Sequence, residues 1–244
     1  MNIKLYQFIL MITYPTKDFY IQRNKTLYYS TNYDDEYEKF IEISKNCDTI
    51  IFGEIFKSDL SKIPSNVKTI IFDNNVFYYF GINNLCSGLK KIKFGDNFNE
   101  PIDELPSSLE ELEFSPDCKF NQLVDNLPCL IKKITFGKYF NMPINNLPPT
   151  LEYLNIKSEY FSLELKNIPT GLKYLYMCSN YDYIYDKEII NLPNGLIEIR
   201  YPKGYKYDIM SNIPDSIQII RVCSQYIFLD NLKKIYPDKK ILVY

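Results

Sequence analysis

Apolar and polar residues alternate in short bursts, and the bursts recur at a near-constant spacing. Pairs of apolar residues separated by one position occur at Ile50/Phe52, Ile70/Phe72, Ile92/Phe94, Leu112/Phe114, Ile134/Phe136, Leu154/Ile156, Leu175/Met177, Ile199/Tyr201 and Ile220/Val222. A period of two marks a strand with one buried face. With Ile241/Val243 the pattern predicts ten short strands. About eighteen residues separate successive strands, too many for hairpins, so units stacked by translation make the strands parallel, one per turn of a coil. At ~4.8 Å per strand the coil runs about 45 Å.

A proline column fixes the frame. It reads Pro64, Cys86, Pro106, Pro128, Pro148, Pro169, Pro193 and Pro214, with steps of 22, 20, 22, 20, 21, 24 and 21 residues. Between strand and proline lie further apolar columns, such as Phe98, Ile102 and Leu105 or Phe140, Ile144 and Leu147, which are expected to point inward beneath the strands. Glycines fall before the strand (Gly88, Gly171, Gly195) or just after it (Gly53, Gly95, Gly137), where the expectation is a turn with positive φ. Asparagine precedes Leu/Ile-Pro or its equivalent at Asn84, Asn126, Asn146, Asn167, Asn191 and Asn212. The column is read as a buried ladder satisfying backbone groups, against the alternative of a ligand-binding row.

Residues 1–46 stand outside the frame. Their first thirty residues read as strands or extended chain, followed by a helix capped at Thr31 or Asn32 and running to about Lys45, with Tyr37, Phe40, Ile41 and Ser44 on one face. This gives an N-terminal cap over 1–46, repeats over 47–222 and a C-terminal cap over 223–244, in which Leu229–Tyr236 forms a helical turn and Ile241–Val243 closes the sheet.

The composition narrows the chemistry. Across 244 residues there is no histidine or tryptophan, and 28 Lys+Arg against 30 Asp+Glu leave a net charge of −2. The lack of histidine removes histidine triads and histidine-ligated metal sites, and the near-neutral charge gives no general attraction for nucleic acid or membrane. The cysteines Cys47, Cys86, Cys118, Cys129, Cys178 and Cys223 form no C-x-x-C pair and read as reduced, partly buried thiols. Apolar residues near Phe8–Ile12 are too few for a membrane span, and Gln7 breaks a signal-peptide reading of Leu5–Ile12. A sequon at Asn24-Lys25-Thr26 is a single match. The carboxylates Glu110, Glu111 and Glu113 could imitate a glycosidase pair, yet nothing apolar near them would raise a pKa, and they read as a solvated strand edge. The eight glycines build no phosphate-binding loop. Neither enzyme, cofactor nor metal is expected.

The segment Phe94-Gly95-Asp96-Asn97-Phe98-Asn99-Glu100-Pro101-Ile102 recurs as Phe136-Gly137-Lys138-Tyr139-Phe140-Asn141-Met142-Pro143-Ile144, each followed by x-x-L-P-x-x-L. This pattern, best in residues 94–114 and 136–156, resembles the FNIP repeat, a leucine-rich-repeat relative found in social amoebae and in giant DNA viruses of amoebae. The copies near 178–190 and 202–211 lack the F-N-x-P element. The resemblance implies a protein-binding solenoid with a parallel sheet on its concave face and loops or 3₁₀ turns on its convex face. It also implies an intracellular, cytoplasmic address, in a host cell if the chain is viral. Some relatives carry an F-box before the repeats, which would make ubiquitin-ligase components partners through residues 1–46, although no Leu-Pro opening is visible there.

The face left for function is the outer side of the strands. Two columns run along it: Thr49, Thr69, Lys91, Glu111, Lys133, Tyr153, Tyr174, Glu198, Ile219, and Ile51, Ile71, Lys93, Glu113, Thr135, Asn155, Tyr176, Arg200, Arg221. Tyr153, Tyr174, Tyr176, Arg200 and Arg221 are the residue types of interface anchors and form the candidate protein-binding patch. The expected function is non-enzymatic protein binding; a ubiquitin-ligase substrate receptor and a self-associating structural component are the alternatives.

Overall fold

A computed structural model describes residues 19–30, 37–53, 60–76, 82, 84–177 and 185–244. It holds one twelve-stranded sheet whose strands follow chain order. They are β1 (Phe19–Arg23), β2 (Thr26–Ser30), β3 (Thr49–Phe52), β4 (Thr69–Phe72), β5 (Lys91–Phe94), β6 (Glu111–Phe114), β7 (Lys133–Phe136), β8 (Tyr153–Ile156), β9 (Tyr174–Met177), β10 (Glu198–Arg200), β11 (Ile219–Val222) and β12 (Lys240–Val243). Helix α1 (Tyr37–Ser44) lies between β2 and β3, and α2 (Leu229–Ile235) precedes β12. β1 and β2 form an antiparallel hairpin; every pairing from β2 to β12 is parallel.

The ten strands expected from the alternating pairs are β3 to β12, in register column by column. Ile70 pairs with Ile92, Leu112 with Ile134, and Leu154 with Leu175. The stacking is aromatic as well as aliphatic. Phe52, Phe72, Phe94, Phe114 and Phe136 follow one another at 5.3 to 5.9 Å between ring centroids. A second file runs through Phe98, Phe120, Phe140, Phe161 and Tyr185 at 5.9 to 6.3 Å. Within a turn the two files meet, as Phe136 and Phe140 do at 3.7 Å. Each aromatic contact along a file adds about 0.5–1.5 kcal/mol beyond the area it buries, and it exists only when the next turn is present. Cooperative stacking of turns follows directly.

Further elements flank the repeats at both ends. At the N-terminal end Asn24 takes φ of 55° in the two-residue hairpin turn, so the sequon asparagine is explained by backbone geometry. β2 pairs with β3, and Phe40 of α1 lies 4.2 Å from Tyr29 and 5.8 Å from Phe52 between ring centroids. At the C-terminal end the side chain of Leu232 in α2 is fully buried. The signal-like stretch, the expected cap at Thr31 or Asn32, and Cys178 lie outside the described residues. The five described cysteines are free, and four of them are buried. Burial pushes the Cys118 thiol up to about 12, which keeps it protonated and inert.

Two expectations need correction. The glycines flanking the strands do not take positive φ; among the described glycines only Gly204 does. Gly53, Gly88, Gly95 and Gly137 make room instead: a Cβ on Gly95 would lie 2.1 Å from the carbonyl oxygen of Asp73 in the preceding turn. The asparagines before Leu/Ile-Pro are not a buried ladder either. Asn84, Asn126, Asn146, Asn167 and Asn191 are exposed. Asn84, Asn167 and Asn191 occupy left-handed backbone, which asparagine tolerates, while Asn126 and Asn146 donate to Asp103 and Asp125 of the turn before. The real amide ladder is one column away. Asn99 Oδ1 accepts from the Asn121 N–H at 2.8 Å, Asn121 from Asn141 at 2.8 Å, and Asn141 from Ser162 at 3.0 Å.

Candidate protein-binding face

Period-two alternation that buries Ile and Phe on one side of the sheet leaves the other side to the two outer columns. In β3 to β6, β9 and β11 the first and third strand residues are half-buried and the second and fourth are buried. Parallel pairing in register then turns sequence columns into surface rows.

The middle of the sheet carries a charge lattice. Lys91 lies 3.0 Å from Glu111, and Glu113 lies 3.7 Å from Lys91 and 3.5 Å from Lys93. Just before the strands a second row alternates in sign through Lys90, Glu110, Lys132, Glu152 and Lys173. Glu110 pairs with Lys90 at 2.7 Å and Lys132 at 2.9 Å, and Lys173 pairs with Glu152 at 3.0 Å. Hydrogen bonds from Lys90 and Lys132 pull the Glu110 carboxyl down to about 2. A glycosidase acid needs the opposite shift from that of Glu110, and Glu111 and Glu113 are likewise held in ion pairs with lysines. Among the described residues no group of three His, Cys, Asp or Glu is placed to hold a metal ion, and no helix is long and apolar enough to cross a membrane.

From β8 onward the face changes character. The Tyr153 ring centroid lies 6.2 Å from that of Tyr174 and 5.4 Å from that of Tyr176, both tilted, and Lys133 Nζ lies 5.2 Å over the Tyr153 ring. Register places Tyr176 beside Arg200 and Arg200 beside Arg221. The five residues singled out from the sequence therefore occupy one continuous area over β8 to β11. Arg221 donates from Nε to Glu198, which is buried. Burial first, and then the charge and hydrogen bond of Glu198, push the Tyr176 phenol up, so its hydroxyl remains a donor.

Three members of this area were not among the anchors expected from sequence. Asn155 and Glu198 stand in the outer columns, but the alternation treats every such position as exposed, whereas both are at least nine-tenths buried. Tyr244 carries the third: its ring lies 4.0 Å from the Arg200 guanidinium, and its hydroxyl donates to the Tyr201 carbonyl. Continuing the alternation past Ile241 and Val243 would have put Tyr244 on the outer side.

The FNIP Repeat family model matches residues 80–117 and 120–158. Residues 80–117 and 120–158 are thus similar to FNIP repeats. The matched repeats carry β5 to β8, so most of the tyrosine–arginine area lies in turns beyond the match. Among solved structures, the repeat solenoid is similar to CroV588, a giant-virus protein described as a novel circular leucine-rich-repeat structure. The TM-score is 0.54 at 24% identity, over 85% of this chain and 38% of that one. The likeness shows a leucine-rich-repeat-like fold, and this chain spans well under half the length of that neighbour. Curated protein sequences give no match.

Proposed function

We propose that the repeat solenoid is a protein-binding scaffold that engages its partner through the outer face of β8 to β11. The observation that carries this reading is the convergence of Tyr153, Tyr174, Tyr176, Arg200 and Arg221 on one regular surface. Tyrosine and arginine dominate binding energy at protein interfaces because each offers a large rigid area together with hydrogen-bonding groups. A stack of turns with covered ends holds them in place, so little ordering entropy is lost on binding. On the same reading, residues 1–46 and 223–244 are caps that close the two ends of the repeat core.

The test is recovery of partners on the immobilised chain, compared with a Tyr174→Ala/Tyr176→Ala/Arg200→Ala variant of unchanged circular dichroism. Recovery should fall at least tenfold for that variant and stay constant for Tyr139→Ala/Tyr160→Ala, which alters an exposed stacked pair in the loops after β7 and β8. Equal recovery on all three proteins would refute the assignment.

A further inference from the structure

The binding reading leaves the chemistry of the partner open, and the charges on the face narrow it. On the outer columns of β5 and β6, two lysines meet two glutamates and are neutralised by them. From β7 to β12 the same columns carry Lys133, Arg200, Arg221 and Lys240 against a single carboxylate, Glu198. Glu198 is buried and already accepts from Arg221. Arg200 has no carboxylate partner among the described residues; its guanidinium rests on the Tyr244 ring. A ring contact uses none of the guanidinium hydrogen-bond donors, so its terminal N–H groups can still pair with an acid.

A second observation is independent of the charges. Two buried polar atoms on this face have no hydrogen-bond partner: Asn155 Oδ1, an acceptor, and Arg200 Nε, a donor. Both residues belong to one register row, Asn155–Tyr176–Arg200, across three adjacent strands. Unsatisfied groups of this kind are rare in folded proteins, and these two share one row on the outer face. An extended polypeptide supplies both complements, a backbone N–H for Asn155 and a side-chain carboxylate for Arg200.

Resting on the binding reading above, we infer that the partner presents an acidic, extended peptide segment that crosses β8 to β11 over Tyr153, Tyr174 and Tyr176, with a carboxylate on Arg200. Three strand spacings are about 14 Å, which an extended chain of roughly four to five residues spans. The tyrosine rings cover the apolar parts of such a segment, and the local excess of cations accelerates its approach. A nucleic acid is the other polyanion with a use for tyrosines. It fits less well, because the cationic run is only four residues on a chain of net charge −2, and phosphate binding draws on many simultaneous cations.

The test is selection of displayed random 12-residue peptides on the full chain at low salt, with fluorescein-labelled dT12 assayed in parallel. Selected peptides should carry net negative charge, and they should bind at least tenfold more weakly to Arg200→Gln and to Tyr174→Ala, both checked for native circular dichroism. Neutral or basic peptides that still depend on Tyr174 would overturn the acidic assignment and leave the face reading intact. Selected peptides indifferent to both substitutions, or no selection at all, would overturn both. Arg200-dependent binding of dT12 without any acidic peptide would replace the segment by a nucleic acid.

Discussion

The hydroxyl of Tyr205 accepts the backbone N–H of Ile189 at 2.8 Å, one turn earlier in the coil. It does what asparagine does in the better-matched turns. The ladder Asn99–Asn121–Asn141 ends at Ser162, and from the next turn the second aromatic file changes from phenylalanine to tyrosine. Tyr185 donates to the Leu163 carbonyl, and Tyr226 accepts from the Ile209 N–H while donating to the Tyr207 carbonyl. Tyr201, by contrast, is fully buried with an unpartnered hydroxyl.

These two tyrosines should therefore respond oppositely to the same substitution. Tyr205→Phe strands a buried N–H and is expected to cost about 1–2 kcal/mol. Tyr201→Phe removes a hydroxyl that bonds nothing and is expected to be neutral or slightly stabilising. Urea unfolding of the two variants provides the comparison, and equal losses would mean that the Tyr205 bond contributes nothing.

Glycine substitutions separate crowding from conformation. Gly95→Ala places a methyl 2.1 Å from the Asp73 carbonyl oxygen and should destabilise by more than about 2 kcal/mol. Gly195→Ala meets its nearest neighbour only at 3.8 Å and should gain about 0.5 kcal/mol by restricting the unfolded chain. Thermal unfolding of both variants decides it; a Gly95→Ala protein as stable as the parent would contradict the packing of adjacent turns.

Acid should weaken the lysine–glutamate row in a defined window. The Glu110 carboxyl is lowered in the folded chain, so the ionised form is favoured there, and its contribution is complete above the ordinary carboxylate value of 4.5. That contribution disappears as pH falls toward about 2. A carboxyl-carbon NMR titration should put the Glu110 midpoint far below 4.5, and Glu110→Gln should flatten the acid limb of the stability curve. A midpoint at the ordinary value would show that solvent screens these exposed pairs completely.

The frame of the solenoid was legible because period two and the proline column act through backbone geometry and burial, which each turn repeats. Ile92, Leu112 and Ile134 occupy the buried strand positions expected of them, as do Phe98 and Phe140 beneath. What escaped were choices among equivalent polar positions. The Asn146 and Asn141 columns look alike in sequence, yet only a turn-to-turn distance decides which amide reaches the next backbone N–H. Glycine has two uses, and room for a neighbouring carbonyl leaves the same trace as positive φ. In the proposed binding area the columns named Tyr153, Tyr174, Tyr176, Arg200 and Arg221. The burial of Asn155 and Glu198 depends on bulky neighbours in adjacent strands, and alternation along one strand carries no record of that.

A photoreactive amino acid at Tyr174, compared with the same residue at Tyr139 in the loop after β7, tests the binding face most directly. In cells expressing the full chain, position 174 should yield a discrete cross-linked partner that Arg200→Gln weakens, and position 139 should yield none. A partner captured from position 139 and absent from position 174 would place the interface away from the strand layer and contradict the account.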